Sequence, residues 1–339
     1  MALKCGFQGK QIFFNGNGKE IWEIELAIEN NCYLNVDSKF DAENICRIAK
    51  QKDRVVQVVL NMTLFILIQY SKVLPRLNPA FSANVHPFLN TGKSSKFGIP
   101  ESDLLEVLQT LKGNRKVVIT GVHIHVGSTI TDVSVFKAVH EYCKKVIARN
   151  YEDFKHVKII NIGGGLAVDY RQEGDETPSP SDLSEAVRPG ETDYKILVEP
   201  GRSLVASSGL LLCRVLGTKT SAGNNFAIID GSMTELVRVP LYSAYHRVLP
   251  CRLAEAPHRQ YSVVGPVCES ADCLAPAVTL PTLDTGDLIA IMDTGAYGAC
   301  MASNYNMRAR PAEILVHGEK IVTMAERENF EQMLLRFKL

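Results

Sequence analysis

The sequence predicts an α/β protein, a (β/α)8-type barrel followed by a C-terminal β-domain, and three observations predict it. Through the first two-thirds, short β-rich runs alternate with helical stretches, the pattern of βαβ units on a parallel sheet. Several of those runs end in polar or glycine-rich loops (HVGS, NIGGG, EPGR), and a barrel collects its chemistry at the C-terminal ends of its strands. From about Leu210 helical periodicity fades, and short β runs punctuated by Pro and Gly take over. A length of 339 residues accommodates one barrel and one smaller domain, and the boundary is drawn as 1–208 and 209–339.

In chain order, the predicted barrel strands are 11–14, 33–36, 55–60, 117–126, 158–162 and 195–199, with helices over 102–111 and 133–148. The β-domain is expected to contain strands at 211–216, 226–229, 262–264, 288–292 and 312–316. The most apolar run, VVQVVLNMTLFILIQY at 55–70, is shorter than the ~20 residues of a membrane span. It also carries Gln57, Asn61, Thr63 and Gln69, so it reads as buried and not as an anchor.

Composition excludes several partner classes. Basic and acidic residues balance at 37 each, which gives no electrostatic case for nucleic acid or an anionic membrane surface. Nine cysteines occur without a CxxC pair, which argues for a reduced compartment over a disulfide framework or zinc knuckle. The first residues show neither a signal peptide nor a transit peptide.

Five motifs carry candidate chemistry. In GVHIHVGS, His123 and His125 lie two apart on a predicted strand and so share a face; a metal pair, a ring stacked on an aromatic cofactor and a hydrogen-bonded core histidine all remain open. NIGGGLAVDY places Gly163, Gly164 and Gly165 directly after a strand, where backbone N–H groups can close on a phosphate or the chain simply turns. It is no dinucleotide fingerprint, since the third glycine of that pattern would fall at Val168. LVEPGRS ends a strand in Glu199 and Arg202, either a structural ion pair or a partner for a cofactor ring nitrogen beside an anion-binding guanidinium. GPVCESAD offers Cys268 and Glu269, and GAYG offers the hydroxyl of Tyr297; each is by itself more often a plain structural feature.

The order of these motifs is more specific than any one of them. FNGNGK, NVDSKFD, NPAFSANVHPFLNTGKSSKFGI, GVHIHVGSTIT, NIGGGLAVDY, EPGRS, DGSMTELVRVPLYSAYH, GPVCESAD and GAYGACMASNYN, read from Phe7 to Arg327, resemble the diaminopimelate decarboxylase family, in particular its plant-like branch. The resemblance implies an alanine-racemase-like barrel binding pyridoxal 5′-phosphate, followed by a β-domain. It also implies decarboxylation of meso-2,6-diaminopimelate to L-lysine, a homodimer with shared active sites, and a cytoplasmic or plastid location. By motif, His125 resembles the residue stacked on the cofactor ring, and Ser128 and Gly165 those on its phosphate, with Gly163 and Gly164 shaping that loop. Glu199 would pair with the pyridine nitrogen, and Gly201 and Arg202 would lie along phosphate and substrate. Arg238 and Tyr242 resemble contacts to the distal carboxylate, Glu269 to the distal ammonium, Tyr297 to cofactor and substrate, and Cys268 the proton donor. Cys268 and Glu269 would serve the partner subunit's site, and Lys96 would pair with Asp272 across the interface.

The sequence departs from that pattern in two places. The Tyr-Ala-x-Lys strand, whose lysine carries the cofactor in the family, is not among these 339 residues; MALKCGF aligns with a later helix, leaving Lys4 at the surface. The expectation is therefore an incomplete barrel lacking its first strands. Residues 61–75 intervene between a strand and RLNP and are expected to be an insertion or translated intron. The alternative reading is a non-catalytic, decarboxylase-like regulatory paralogue. A metal-dependent barrel hydrolase would need further ligands where GGG and EPGR stand, and a racemase is disfavoured by Glu199.

Overall fold

The computed structural model describes residues 1–52, 70–79, 95–174, 177–188, 194–252, 257–335 and 337, and the backbone of 55–60 and 63–68. The chain divides into two compact units, Met1–Ala167 with Pro178–Pro200, and Val168–Thr177 with Gly201–Leu339.

The first unit runs β1 (Phe13–Phe14), α1 (Ile21–Glu29), β2 (Tyr33–Val36), α2 (Lys39–Gln51), β3 (Val55–Leu60), β4 (Thr63–Ile68), β5 (Ser71–Pro75), β6 (Leu77–Asn78) and β7 (Ile99–Pro100). It continues with α3 (Leu104–Lys112), β8 (Val117–Ile119), β9 (Gly121–His123), α4 (Ser134–Arg149), α5 (Tyr151–Phe154), β10 (Ile159–Asn161), α6 (Pro180–Ala186) and β11 (Lys195–Leu197). Strands β1-β2-β5-β8 form one parallel sheet and β9-β10-β11 another. A parallel bridge between Arg76 and His123 continues the order from the first sheet to the second. Each helix turns an apolar stripe inward: Ala42, Ile45, Ile48 and Ala49 on α2, Leu104, Val107, Leu108 and Leu111 on α3, and Phe136, Val139, Cys143, Val146 and Ile147 on α4. They close over Leu34, Val36, Val73, Val122, Ile124, Ile160 and Ile162. Each large aliphatic side chain so buried contributes about 1.5–3 kcal/mol.

Two predicted strands change. Residues 55–60 do form a strand, but β3 pairs antiparallel with β4 in a two-stranded sheet outside the parallel order. Its expected place beside β2 belongs to β5, with Tyr33 opposite Lys72 and Val36 opposite Pro75. The physical reason is local: VVQVVL and TLFILI, adjacent in sequence, satisfy each other's backbone groups. SKVLP, buried along most of its length, instead runs straight into RLNP. The stretch outside the parallel order is thus 55–68, and Ser71–Pro75 is part of the barrel sheet. The strand predicted over 117–126 breaks at Thr120, β8 pairing with β5 and β9 with β10. His123 therefore ends a strand, and His125 lies in the loop after it and not on the same strand face.

Beneath the β1–α1 loop sits a charged network. Lys19 Nζ donates to Asp41 Oδ2 at 2.7 Å and to the Gly16 carbonyl at 2.7 Å, with both charged side chains 1% exposed. Arg76 Nη1 lies 3.2 Å from Asp37 Oδ2, whose other oxygen accepts from Gly98 N–H at 2.8 Å.

The second unit holds α7 (Arg202–Val205), β12 (Leu211–Ser221), β13 (Asn224–Ile229), α8 (Arg238–Tyr242), β14 (Val248–Pro250), β15 (His258–Val264), β16 (Cys273–Pro281) and β17 (Leu288–Ile291). It ends with β18 (Glu313–His317), β19 (Lys320–Ala325) and α9 (Phe330–Leu334). Six strands form a sheet in the order β14-β17-β12-β13-β15-β16, and β18 and β19 pair as a separate hairpin. Its core joins Cys213, Val215, Ala227, Ile229, Tyr261, Val263, Leu274, Leu280, Ile289 and Ile291.

Candidate active site

In the first unit, the strand ends gather around Glu199. Its Oε1 accepts from Asn15 Nδ2 at 2.7 Å and from Asn161 Nδ2 at 2.8 Å. His123 Nε2 stands 3.6 Å from Oε2, too far for a well-formed hydrogen bond, and finds no other partner among the described residues. The Nδ1 side of the same ring faces Asn35 Nδ2 at 3.0 Å, and Asn35 Nδ2 also donates to Asn15 Oδ1. Burial works to raise the Glu199 carboxyl, but the facing His123 and the two amides outweigh it and hold the group down at about 2. Burial also keeps His123 below the usual histidine range, while Glu199 pulls it the other way. Glu199 remains 30% exposed, an ionised carboxylate with one oxygen fixed and one approachable.

The three glycines pack where side chains cannot. A Cβ on Gly164 would stand 2.0 Å from the Glu199 carbonyl oxygen, and one on Gly165 would stand 2.2 Å from that of Gly127. Gly163 N–H donates to Asn161 Oδ1 at 2.9 Å and Gly164 N–H to His125 Nδ1 at 3.1 Å. Gly165 N–H has no acceptor among the described residues, and Ser128 lies partly exposed in the loop after His125. A backbone N–H accepts nothing, so His125 Nδ1 is a lone pair and any ring proton sits on Nε2. Burial, helped by Arg76 and His123, pushes His125 down to about 4.

These features fit pyridoxal phosphate: an ionised carboxylate for a protonated ring nitrogen, a neutral imidazole beside it, and an unused backbone donor on a glycine loop for an anion. Lys4 lies exposed on a single turn at Ala2–Cys5.

In the second unit, Arg202 and Arg238 converge on Tyr170. Arg202 Nη1 donates to the Tyr170 hydroxyl at 3.2 Å, and the Arg238 guanidinium lies 4.9 Å from the centre of the Tyr170 ring. Arg202 also stacks 4.9 Å from the Tyr297 ring. Tyr297 has a left-handed backbone (φ 60°) in the turn after β17, and Tyr242 lies one helical turn beyond Arg238 on α8. Gly201 opens α7 directly before Arg202. Cys268 and Glu269 lie exposed on the loop between β15 and β16, where Glu269 Oε1 accepts from Ala271 N–H at 3.3 Å. Among the described residues no hydrogen bond, ion pair or ring contact joins them to the arginines.

Asp272 is 4% exposed, and its carboxylate accepts from Met233 N–H at 2.6 Å and Val267 N–H at 2.9 Å, organising the loop that carries Cys268. Lys96 itself lies 5.2 Å from the centre of the Phe97 ring. Sequence reasoning missed Asn15, Asn161, Tyr170 and His246, although each sits inside a quoted motif; polar residues at strand ends were the available signal. Among the described residues no three His, Cys, Asp or Glu side chains cluster as metal ligands.

Known proteins place this arrangement. Residues 1–206 match the pyridoxal binding domain of the pyridoxal-dependent decarboxylases, which defines the class. The chain is 37% identical over 347 residues to a probable chloroplastic diaminopimelate decarboxylase of Oryza sativa, covering 99% of this chain and 67% of that protein. It is 35% identical to the diaminopimelate decarboxylase of Archaeoglobus fulgidus, covering 100% and 79%. The Helicobacter pylori enzyme, solved with L-lysine, superposes with a TM-score of 0.84 at 34% identity, covering 98% and 80%. The chain belongs to the diaminopimelate decarboxylase family.

Proposed function

We propose that the protein uses pyridoxal 5′-phosphate to decarboxylate meso-2,6-diaminopimelate to L-lysine, the last step of lysine biosynthesis. The observation that carries this reading is Glu199, an ionised, partly exposed carboxylate held by two amides at a barrel strand end. The bound cofactor supplies an electron sink for the pair left when carbon dioxide departs.

The chain's own residues do the rest. Glu199 keeps a proton on the ring nitrogen through its free oxygen. His125 covers a ring face, and Ser128 and Gly163–Gly165 take the phosphate with Gly201, Arg202 and Tyr297. Arg238 and Tyr242, with Arg202 and Tyr297, bind substrate and orient its distal carboxylate, and Glu269 holds the distal ammonium. Cys268 Sγ delivers a proton to the carbon that has lost carbon dioxide. Because substrate offers both charges at its far end, a cation and an anion are both needed there. In this reading residues 1–208 are the cofactor barrel and 209–339 the β-domain. The protein is a homodimer whose exposed Cys268 and Glu269 serve the partner copy's site. No described helix is long and apolar enough to cross a membrane. The rice relative's chloroplastic description supports a plastid location, with the cytoplasm as the alternative.

The alternative reading is a non-catalytic paralogue that binds and regulates a decarboxylase. Incubation with cofactor and meso-diaminopimelate separates the two. Lysine formed in step with carbon dioxide supports the enzyme, whereas lysine binding without turnover supports the paralogue.

A further inference from the structure

We infer that His246 and Tyr170 are positioning residues that set the Arg238 guanidinium for a ligand carboxylate and so determine specificity for carboxylate-bearing ligands. Arg238 is 4% exposed, yet among the described residues no Asp or Glu lies within ion-pair distance of it. Its Nη1 donates to His246 Nε2 at 2.7 Å, and a second side-chain hydrogen bond joins it to Tyr170. Among the described residues its Nε has no acceptor.

The histidine's protonation state follows from geometry. His246 Nδ1 lies 2.8 Å from the Met292 carbonyl oxygen, which can only accept, so Nδ1 carries the proton. A guanidinium can only donate, so Nε2 must be a lone pair. His246, 3% exposed, is therefore fixed from both ends as a neutral acceptor and would lose one bond on protonation.

That neutrality is the point of the arrangement. A carboxylate at position 246 would orient Arg238 equally well but cancel its charge. A neutral acceptor orients the guanidinium and leaves the full positive charge for an incoming anion, which a planar fork binds with directional hydrogen bonds. The Tyr170 ring supports the same orientation, lying 4.9 Å from the guanidinium and meeting His246 edge-on at 5.2 Å and 72°. Its hydroxyl is held in turn by Arg202. A buried cation without an internal counter-ion is costly, and a ligand carboxylate relieves that cost.

That the carboxylate is the distal one of a diamino acid rests on the proposed function; the recognition of a carboxylate does not. Calorimetric titration of the cofactor-loaded chain with L-lysine, hexanoate and cadaverine separates the two. The first two carry a carboxylate, and cadaverine is the diamine without one. The wild type should bind hexanoate. His246→Leu, His246→Glu and Tyr170→Leu should each weaken hexanoate and L-lysine at least about tenfold while leaving cadaverine unchanged. His246→Gln, which keeps a neutral acceptor, should recover most of that affinity, and thermal melts would identify any variant that fails to fold. The inference is overturned if folded His246→Glu binds both carboxylates like wild type, if all three ligands weaken together, or if wild type binds no carboxylate. Wild type that binds hexanoate but not L-lysine leaves it standing and sinks the lysine-pathway reading.

Discussion

Asn161 bridges Glu199 and the glycine loop: its Nδ2 donates to Glu199 Oε1 at 2.8 Å while its Oδ1 accepts from Gly163 N–H at 2.9 Å. One buried amide thus ties the carboxylate proposed to meet the ring nitrogen to the loop proposed to take the phosphate. Asn161→Ala should reduce kcat about tenfold or more and weaken cofactor binding, because one lost side chain frees both elements. Glu199→Gln, which cannot hold a proton on the ring nitrogen, should lower kcat about 100-fold or more. Steady-state kinetics with a parallel cofactor titration would check both, and equal activity of Glu199→Gln and wild type would remove Glu199 from the mechanism.

Gly164→Ala places a methyl carbon where only 2.0 Å separates it from the Glu199 carbonyl oxygen, a backbone atom that cannot swing away. The variant should lose about 2 kcal/mol or more of stability and much of its cofactor affinity. Urea unfolding would measure the first loss and fluorescence titration the second.

Lys19→Met leaves Asp41 buried without its counter-ion. Burial already works to raise the Asp41 carboxyl against the pull of Lys19. Breaking the pair from one side should cost about 3–5 kcal/mol, whereas Lys19→Met with Asp41→Leu should cost clearly less. Chemical denaturation of the single and double variants would test this.

Acid should destabilise the fold through two histidines. Burial, joined by neighbouring cations (Arg76 for His125, Arg238 and Arg202 for His246), holds each at about 4. Unfolded histidine titrates near ~6.5, so the unfolded chain takes up protons that the folded chain refuses. Stability is therefore retained above that value and falls as pH drops from about 6.5 to about 4, by roughly 3 kcal/mol per group at full extent. Unfolding midpoints across that window should fall more for wild type than for His246→Gln. A flat profile would contradict the assignment.

Much of this was legible from residues alone, for physical reasons. Tyr33–Val36 was read to the residue because a short apolar run bounded by polar turns has one reading, and α3 and α4 were visible in their apolar period. Pairing was not legible: VVQVVL has the composition of a barrel strand, and only the register shows that β4 takes it and Ser71–Pro75 fills the barrel position. The kink at Thr120 separated His123 from His125, which no alternation pattern could reveal. The charged candidates were named through motif order, while the residues that hold them (Asn15, Asn161, His246) emerged only once distances joined residues as far apart in sequence as Asn15 and Glu199.

The most direct test is lysine formation from meso-diaminopimelate by the purified, cofactor-supplemented protein, followed together with carbon dioxide release. The account predicts equal amounts of both products and their near-complete loss in Glu199→Gln. Absence of lysine from a folded protein that binds cofactor and L-lysine would contradict it and leave the non-catalytic paralogue in its place.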